Sequence, residues 1–239
     1  FINEVKNENY QKAYDILQEN NICSYICSLV CPQEEQCEGS CVRGIKSTPV
    51  HIGLLEKNVN EWAIENNYEY TITTKESNGK KVAIVGSGPA GISCATELLK
   101  EGFSVDIYEK DSIPGGILVY GIPDFRLDKN IVSNLIEKIK TLGANFITNK
   151  ELVVDFSIEE LSSKYDAVFL GVGATKSTTY NLSDKELKNV YKSDDFLKAY
   201  NENRFIKDLG TVVVIGGGNV AMDSARAAVK MGAKEVKIL

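Results

Sequence analysis

Two glycine-rich turns, each directly behind an apolar run, limit what this chain can fold into. The first, Gly86-Ser87-Gly88-Pro89-Ala90-Gly91, follows Val82-Ala83-Ile84-Val85. The second, Gly216-Gly217-Gly218-Asn219-Val220-Ala221, follows Val212-Val213-Val214-Ile215. In the pattern G-x-G-x-x-G/A the first glycine permits a tight turn and the second lets backbone approach a pyrophosphate. The third lets the helix pack on its strand. Free amides and the positive end of the helix dipole then face the phosphates. Each turn predicts a strand, a loop and a helix. Two in one chain suggest two nucleotides held face to face, with electrons passing between them.

The texture along the chain fits an α/β protein with a helical region in front. Residues 1 to about 75 read as helical, with Tyr10, Ala13, Tyr14 and Leu17 at helical spacing. A cysteine-rich loop is expected from Cys23 to about Lys46. Thr48 and Pro49 read as the start of a helix reaching about Asn66, with Ile52, Val59 and Ala63 inward. Thr74 to Lys81 reads as a linker. Strands are expected at 81–85, Ser104–Tyr108, Asp166–Gly171 (buried) and Glu235–Leu239. Helices are expected at 89–101, at 129–142 with a stripe of Ile131, Leu135, Ile139 and Leu142, and at 219–231. Gly102, Gly143 and Gly232 close these helices, and Ser157 with Glu160 reads as a capping box. The boundaries expected are 1–78 for the helical unit, 79–208 for the first nucleotide unit and 209–239 for the opening of the second. About thirty residues of that second unit cannot complete a doubly wound domain, so the chain is expected to be a fragment at both ends.

An acid is expected about 20 residues past the first turn, at the end of the second strand, to bind a ribose hydroxyl. Glu109 stands there. The run Gly115-Gly116-Ile117-Leu118-Val119-Tyr120-Gly121-Ile122-Pro123 is unusual in a plain nicotinamide domain. Its glycines and proline allow backbone to lie against a flat ring system, and a glycine-rich surface turn is the plain alternative. In the second turn Gly216, Gly218 and Ala221 repeat the pattern. Asn219, Asp223 and Arg226 project from the opening of its helix, where capping and solvated charge are the alternatives for the last two.

Five of the six cysteines fall between Cys23 and Cys41, and Cys31, Cys37 and Cys41 follow a C-x5-C-x3-C spacing. Thiolates hold iron–sulfur clusters, usually four per cluster. Glu56 lies four after Ile52 and three before Val59, which puts a carboxylate on the apolar face of its helix. That is costly unless it is paired or bound; an edge position reaching water is the other reading. Cys23 and Cys27 read as small apolar residues, with a zinc site as a weaker option because no C-x2-C knuckle occurs. Cys94 reads as packing.

Together, Gly86–Gly91, the run GGILVYGIPDFRL from Gly115 to Leu127 and GGGNVAMD from Gly216 to Asp223 resemble the NADPH-dependent glutamate synthase small (beta) subunit family. Ferredoxin:NADP⁺ transhydrogenase large chains and the N-terminal part of dihydropyrimidine dehydrogenase are its relatives. The resemblance covers essentially the whole chain. It implies a helical 4Fe–4S domain, then a Rossmann-like FAD-binding domain with FAD at the first turn, and the start of an inserted NAD(P)-binding domain. GGILVYGIP would line the flavin, and Arg126 belongs to the same motif. The strand-end motif Gly171-Val172-Gly173-Ala174 would pass between the two sites, and the second turn would take NADPH or NADH. CPQEEQCEGSCV matches the group's second cysteine motif. By analogy Cys31, Cys37 and Glu56 would serve one cluster and Cys41 the other, neither set being complete. The function implied is electron input: NADPH through FAD and 4Fe–4S clusters to a partner, either a glutamate synthase large chain or a ferredoxin-type chain. An NADH-dependent ferredoxin:NADP⁺ oxidoreductase subunit and a non-catalytic FAD-binding fragment are the other readings.

The bulk numbers exclude other classes. A formal net charge of −6 lacks the basic footprint of nucleic-acid binding. No apolar run approaches the roughly 18–20 residues that span a bilayer, and Phe1-Ile2-Asn3-Glu4 is not expected to belong to a signal peptide. Clustered cysteines without a disulfide-framework context suit the cytoplasm. With His51 as the single histidine, histidine acid–base chemistry is not expected. Without a C-x-x-C, neither is a flavin disulfide reductase.

Overall fold

The computed structural model describes residues 1–174, 189–204 and 208–239. The unit expected over 79–208 therefore has two stretches, 175–188 and 205–207, outside the described residues. The amino-terminal region comprises α1 (Ile2–Lys6), α2 (Tyr10–Asn20), α3 (Ser24–Val30) and α4 (Ile52–Glu65). Ala13, Leu17 and Val59 close a small core between α2 and α4, with Phe1, Val5, Tyr10 and Tyr14 packed around it.

Three expectations are corrected in this region. Helix does not persist to residue 75, because α4 stops at Glu65 and Asn67 turns the chain at φ 49°. The following segment binds the next unit instead: Lys75 N–H donates to Lys100 O at 2.9 Å and Asn78 N–H to Gly102 O at 3.0 Å. The cysteine-rich loop begins later than expected, since Cys23 caps α3 at one end and Cys31 at the other. Cys23, Cys27 and Cys31 thus recur every four residues along one helix face. Finally, α4 starts at Ile52 and not at Thr48-Pro49. Its first-turn amide, Gly53 N–H, is capped at 3.0 Å by Glu38 Oε1 from the cysteine loop. A long-range carboxylate does what a local capping hydroxyl does elsewhere.

The next unit comprises β1 (Lys81–Val85), α5 (Pro89–Lys100), β2 (Ser104–Tyr108), α6 (Ile117–Tyr120), α7 (Lys129–Thr141), β3 (Asn145–Ile147), α8 (Ile158–Lys164) and β4 (Ala167–Leu170). Its four strands are parallel in the order β3-β2-β1-β4. β2 lies on one side of β1 and β4 on the other, so the loops after β1 and β4 part and leave a crevice. In doubly wound sheets, ligands bind there. Ile84, Val105 and Ile107 bury one face of the sheet with Ile92, Ala95, Leu135 and Ile139 of α5 and α7. Ala83, Val85 and Leu161 close the other face under α8. The same large core takes in Ile22, Cys23 and Ile26 of the helical region. The Ser157–Glu160 capping box forms with both of its hydrogen bonds.

Two readings shift here. The buried stripe of α7 is Val132, Leu135, Ile136 and Ile139, rotated slightly from the expected one. β4 is an edge and not a buried strand: among the described residues it pairs only with β1, and Phe169 and Leu170 are 36% and 49% exposed. The second nucleotide unit follows α9 (Ser193–Asn201) and consists of β5 (Thr211–Val214), α10 (Asn219–Lys230) and β6 (Glu235–Ile238), with β5 and β6 parallel. Phe196 and Leu197 of α9 pack on Ala227 and Ala228 of α10, with Phe125 joining from the first unit.

Candidate dinucleotide and cluster site

The first turn is built as its glycines require. Gly86 has φ 100°, and a Cβ there would lie 2.3 Å from Gly171 O; a Cβ on Gly91 would lie 2.0 Å from Gly86 O. Gly88, the residue that caps α5, has nothing within 4 Å on that side. The mouth of α5 is therefore open and lined by first-turn amides without intrahelical acceptors, with Pro89 and Ala90 exposed beside it. This cradle fits a pyrophosphate. Glu109 reaches the turn but braces it from beneath, at 4% exposure. Its Oε2 accepts from Ser87 N–H at 3.0 Å and Ser87 Oγ–H at 2.5 Å, and its Oε1 accepts from Asp111 N–H at 2.9 Å. Ser87 Oγ in turn accepts from Gly115 N–H at 2.9 Å.

The segment from Gly115 to Arg126 starts against this turn. Gly116, at φ 53°, approaches so closely that a Cβ would stand 3.0 Å from Gly88 Cα. Leu118, a candidate contact, points into the core at 3% exposure, and Ile117 faces outward at 61%. Gly121 and Ile122 are half-buried. Lys129 holds the segment from below, its Nζ donating to Leu118 O at 2.9 Å and to Ile122 O. Burial pushes this ammonium down to about 8. Sequence reasoning missed Lys129; the available signal was a basic residue opening a helix, where the dipole disfavours it. Gly173 follows β4 with open space around it.

At the second turn Gly216 has φ 119°, and a Cβ there would lie 3.6 Å from Ala221 Cβ. Gly217 and Gly218 face open space, and Asn219, Val220 and Arg226 are exposed. Asp223 is 5% exposed, and its Oδ2 pairs with Arg126 Nη1 at 2.8 Å. The structure thus brings together two candidate cofactor residues, one from each turn's surroundings, as an ion pair.

In the cysteine region the Cys31 thiol feels burial first, then Cys27, Glu56 and Cys37 around it, and is pushed up to about 11. Burial also raises the Glu56 carboxyl. Glu56 and Cys37 thus act on Cys31 electrostatically. Cys41 is governed by different groups: backbone hydrogen bonds from Val50 and Arg43 and the Arg43 charge lower it. Such donors stabilise thiolate, the form that ligates metal. Among the described residues no three His, Cys, Asp or Glu side chains converge to hold a single metal ion. Cys23 is buried, pushed up to about 11 by burial and by Cys27, and packs in the main core. Cys94 borders the same core.

Comparison with known proteins places the chain among iron–sulfur and pyridine nucleotide oxidoreductases. Residues 1–68 match the model of dihydropyrimidine dehydrogenase domain II, 4Fe-4S cluster, and residues 80–239 match that of pyridine nucleotide-disulphide oxidoreductase. The chain is 36% identical over 236 residues to the glutamate synthase [NADPH] small chain of Escherichia coli (strain K12), covering 94% of this chain and 50% of that protein. It is 34% identical over 244 residues to the NADPH-Fe(3+) oxidoreductase subunit beta of Geobacter sulfurreducens, covering 100% of this chain and 36% of that one. It thus spans half the length, or less, of these curated relatives. Among solved structures, FprA from Mycobacterium tuberculosis in complex with NADPH superposes with a TM-score of 0.58 at 29% identity, covering 66% of this chain and 42% of that one. With two dinucleotide turns on parallel strands and the matched region covering more than half its length, the chain belongs to the pyridine nucleotide-disulphide oxidoreductase family, preceded by a 4Fe–4S region of the dihydropyrimidine dehydrogenase domain II type.

Proposed function

We propose that this chain forms the electron-input part of an iron–sulfur flavoprotein oxidoreductase of the glutamate synthase small-subunit type. The observation that carries this is the pair of open helix mouths, at Gly88 and Gly218, joined through one segment by the Arg126–Asp223 ion pair. The cysteine region is fused to the same core.

FAD, when bound, supplies a two-electron acceptor of hydride that can release electrons singly. The mouth of α5 would hold its pyrophosphate, Glu109 would position its ribose through the braced Ser87, and Gly115, Gly116, Gly121 and Ile122 would line its ring. The amides of Asn219, Val220 and Ala221 would hold the pyrophosphate of NADPH or NADH. Cys31, Cys37 and Glu56 would hold one 4Fe–4S cluster and Cys41 part of another. The acceptor is a partner subunit, a glutamate synthase large chain or a ferredoxin-type chain. All six cysteines are free, which suits the cytoplasm, and no described helix is long and apolar enough to cross a membrane.

The test is anaerobic titration of FAD-loaded chain with NADPH. Loss of the oxidised flavin band supports the reading. A chain that stays colourless in excess FAD, or a flavin untouched by both NADPH and NADH, overturns it.

A further inference from the structure

We propose that residues 115–126 form a strut that fixes the second dinucleotide turn against the first, with Arg126 as its positioning residue. The inference rests on the function just proposed and names a role for residues within it. At one end Gly116 lies on Gly88, in the first turn, close enough that a Cβ would come within 3.0 Å. In the middle, Lys129 Nζ ties down the carbonyls of Leu118 and Ile122. At the other end Arg126 meets Asp223 of α10, one turn into the helix that opens at the second dinucleotide turn.

Neighbouring contacts brace that far end. Phe125 stacks edge-on against Tyr200 at 5.9 Å and lies under Lys230 Nζ at 5.0 Å. Tyr200 Oη donates to Asp124 at 2.8 Å, and Asn201 Nδ2 donates to Tyr120 O at 2.9 Å. Arg126 also reaches a third region, because its Nη2 donates at 3.3 Å to Val30 O, one residue before Cys31. One planar guanidinium therefore touches the second nucleotide unit and the edge of the cysteine region while rooted in the flavin segment.

The chemistry suits the role. A guanidinium stays charged at any working pH, and its fork holds two acceptors at a set angle. Asp223 is nearly fully buried, so removing its partner leaves an uncompensated charge. Transfer between two bound rings depends on their separation, and a displacement of about 1 Å can cost roughly 100-fold in rate.

Two readouts test the strut on the variants Asp223→Asn, Arg126→Gln and Arg126→Lys and the exchange R126D/D223R. The first is hydrogen–deuterium exchange on the chain without cofactor. Asp223→Asn and Arg126→Gln should speed exchange in 219–230 and 24–30, with β1 and α5 unchanged, and the exchange variant should restore part of the protection. The second is anaerobic reduction of the FAD-loaded chain by NADPH. In Asp223→Asn the saturating rate should fall by about 10- to 100-fold with the half-saturating NADPH concentration unchanged, and Arg126→Lys should lose less than Arg126→Gln. A raised half-saturating concentration at an unchanged rate would make Asp223 a nucleotide ligand and overturn the strut. Loss of FAD from Asp223→Asn, or parental exchange in both single variants, would also overturn it. If the parent itself is not reduced by NADPH, the functional reading fails, and the exchange experiment alone decides the strut.

Discussion

Single residues carry most of the site's chemistry. Glu109 was legible as the acid after the second strand, but its bracing of Ser87 was not, because that depends on two hydrogen bonds to Ser87 formed only after folding. Glu109→Gln replaces an acceptor with a donor facing Ser87 N–H. It should cost about 1–3 kcal/mol in urea unfolding and weaken FAD binding, read by equilibrium titration. Lys129 gives a pH signature. Its folded pKa lies below that of the unfolded chain, so the unfolded state binds more protons between pH 8 and pH 10.5. Its contribution therefore makes stability rise with pH across that window. Urea midpoints followed from pH 7.5 upward should show this rise, and Lys129→Gln should flatten it. Arg126 and Asp223 were visible as candidates in separate motifs, and only the tertiary fold pairs them.

Among the elements, the two strand–turn–helix openings followed the sequence closely, since periodicity, glycine spacing and apolar runs all agreed there. The errors fell where a distant partner overrides local preference. Thr48-Pro49 had the chemistry of a helix start, yet α4 opens at Ile52 because Glu38 caps Gly53 from fifteen residues away. Glu38→Ala should cost about 1 kcal/mol, within the usual range for losing a cap, and should loosen the loop that carries Cys37 and Cys41. Thermal unfolding followed by circular dichroism checks the first effect, and the rate of thiol alkylation checks the second. The edge position of β4 was illegible for a related reason: an apolar run reads as buried whether or not a neighbour arrives to cover it.

At the level of the whole molecule, sequence patterns indicated separate helical, flavin and nicotinamide units, but the core does not respect the first boundary. Anaerobic reconstitution with iron and sulfide should show this organisation chemically. Cys31→Ser and Glu56→Ala should lower bound iron, whereas Cys94→Ser should leave it unchanged, and colorimetric iron assay decides. Ile22, Cys23 and Ile26 are buried with Ile92 and Leu99 in one continuous cluster. The cysteine region is thus a wall of the flavin unit rather than a bead threaded ahead of it. Anyone transplanting it as an independent redox module would have to carry α5 along, or supply a new hydrophobic surface for α3 to lean on.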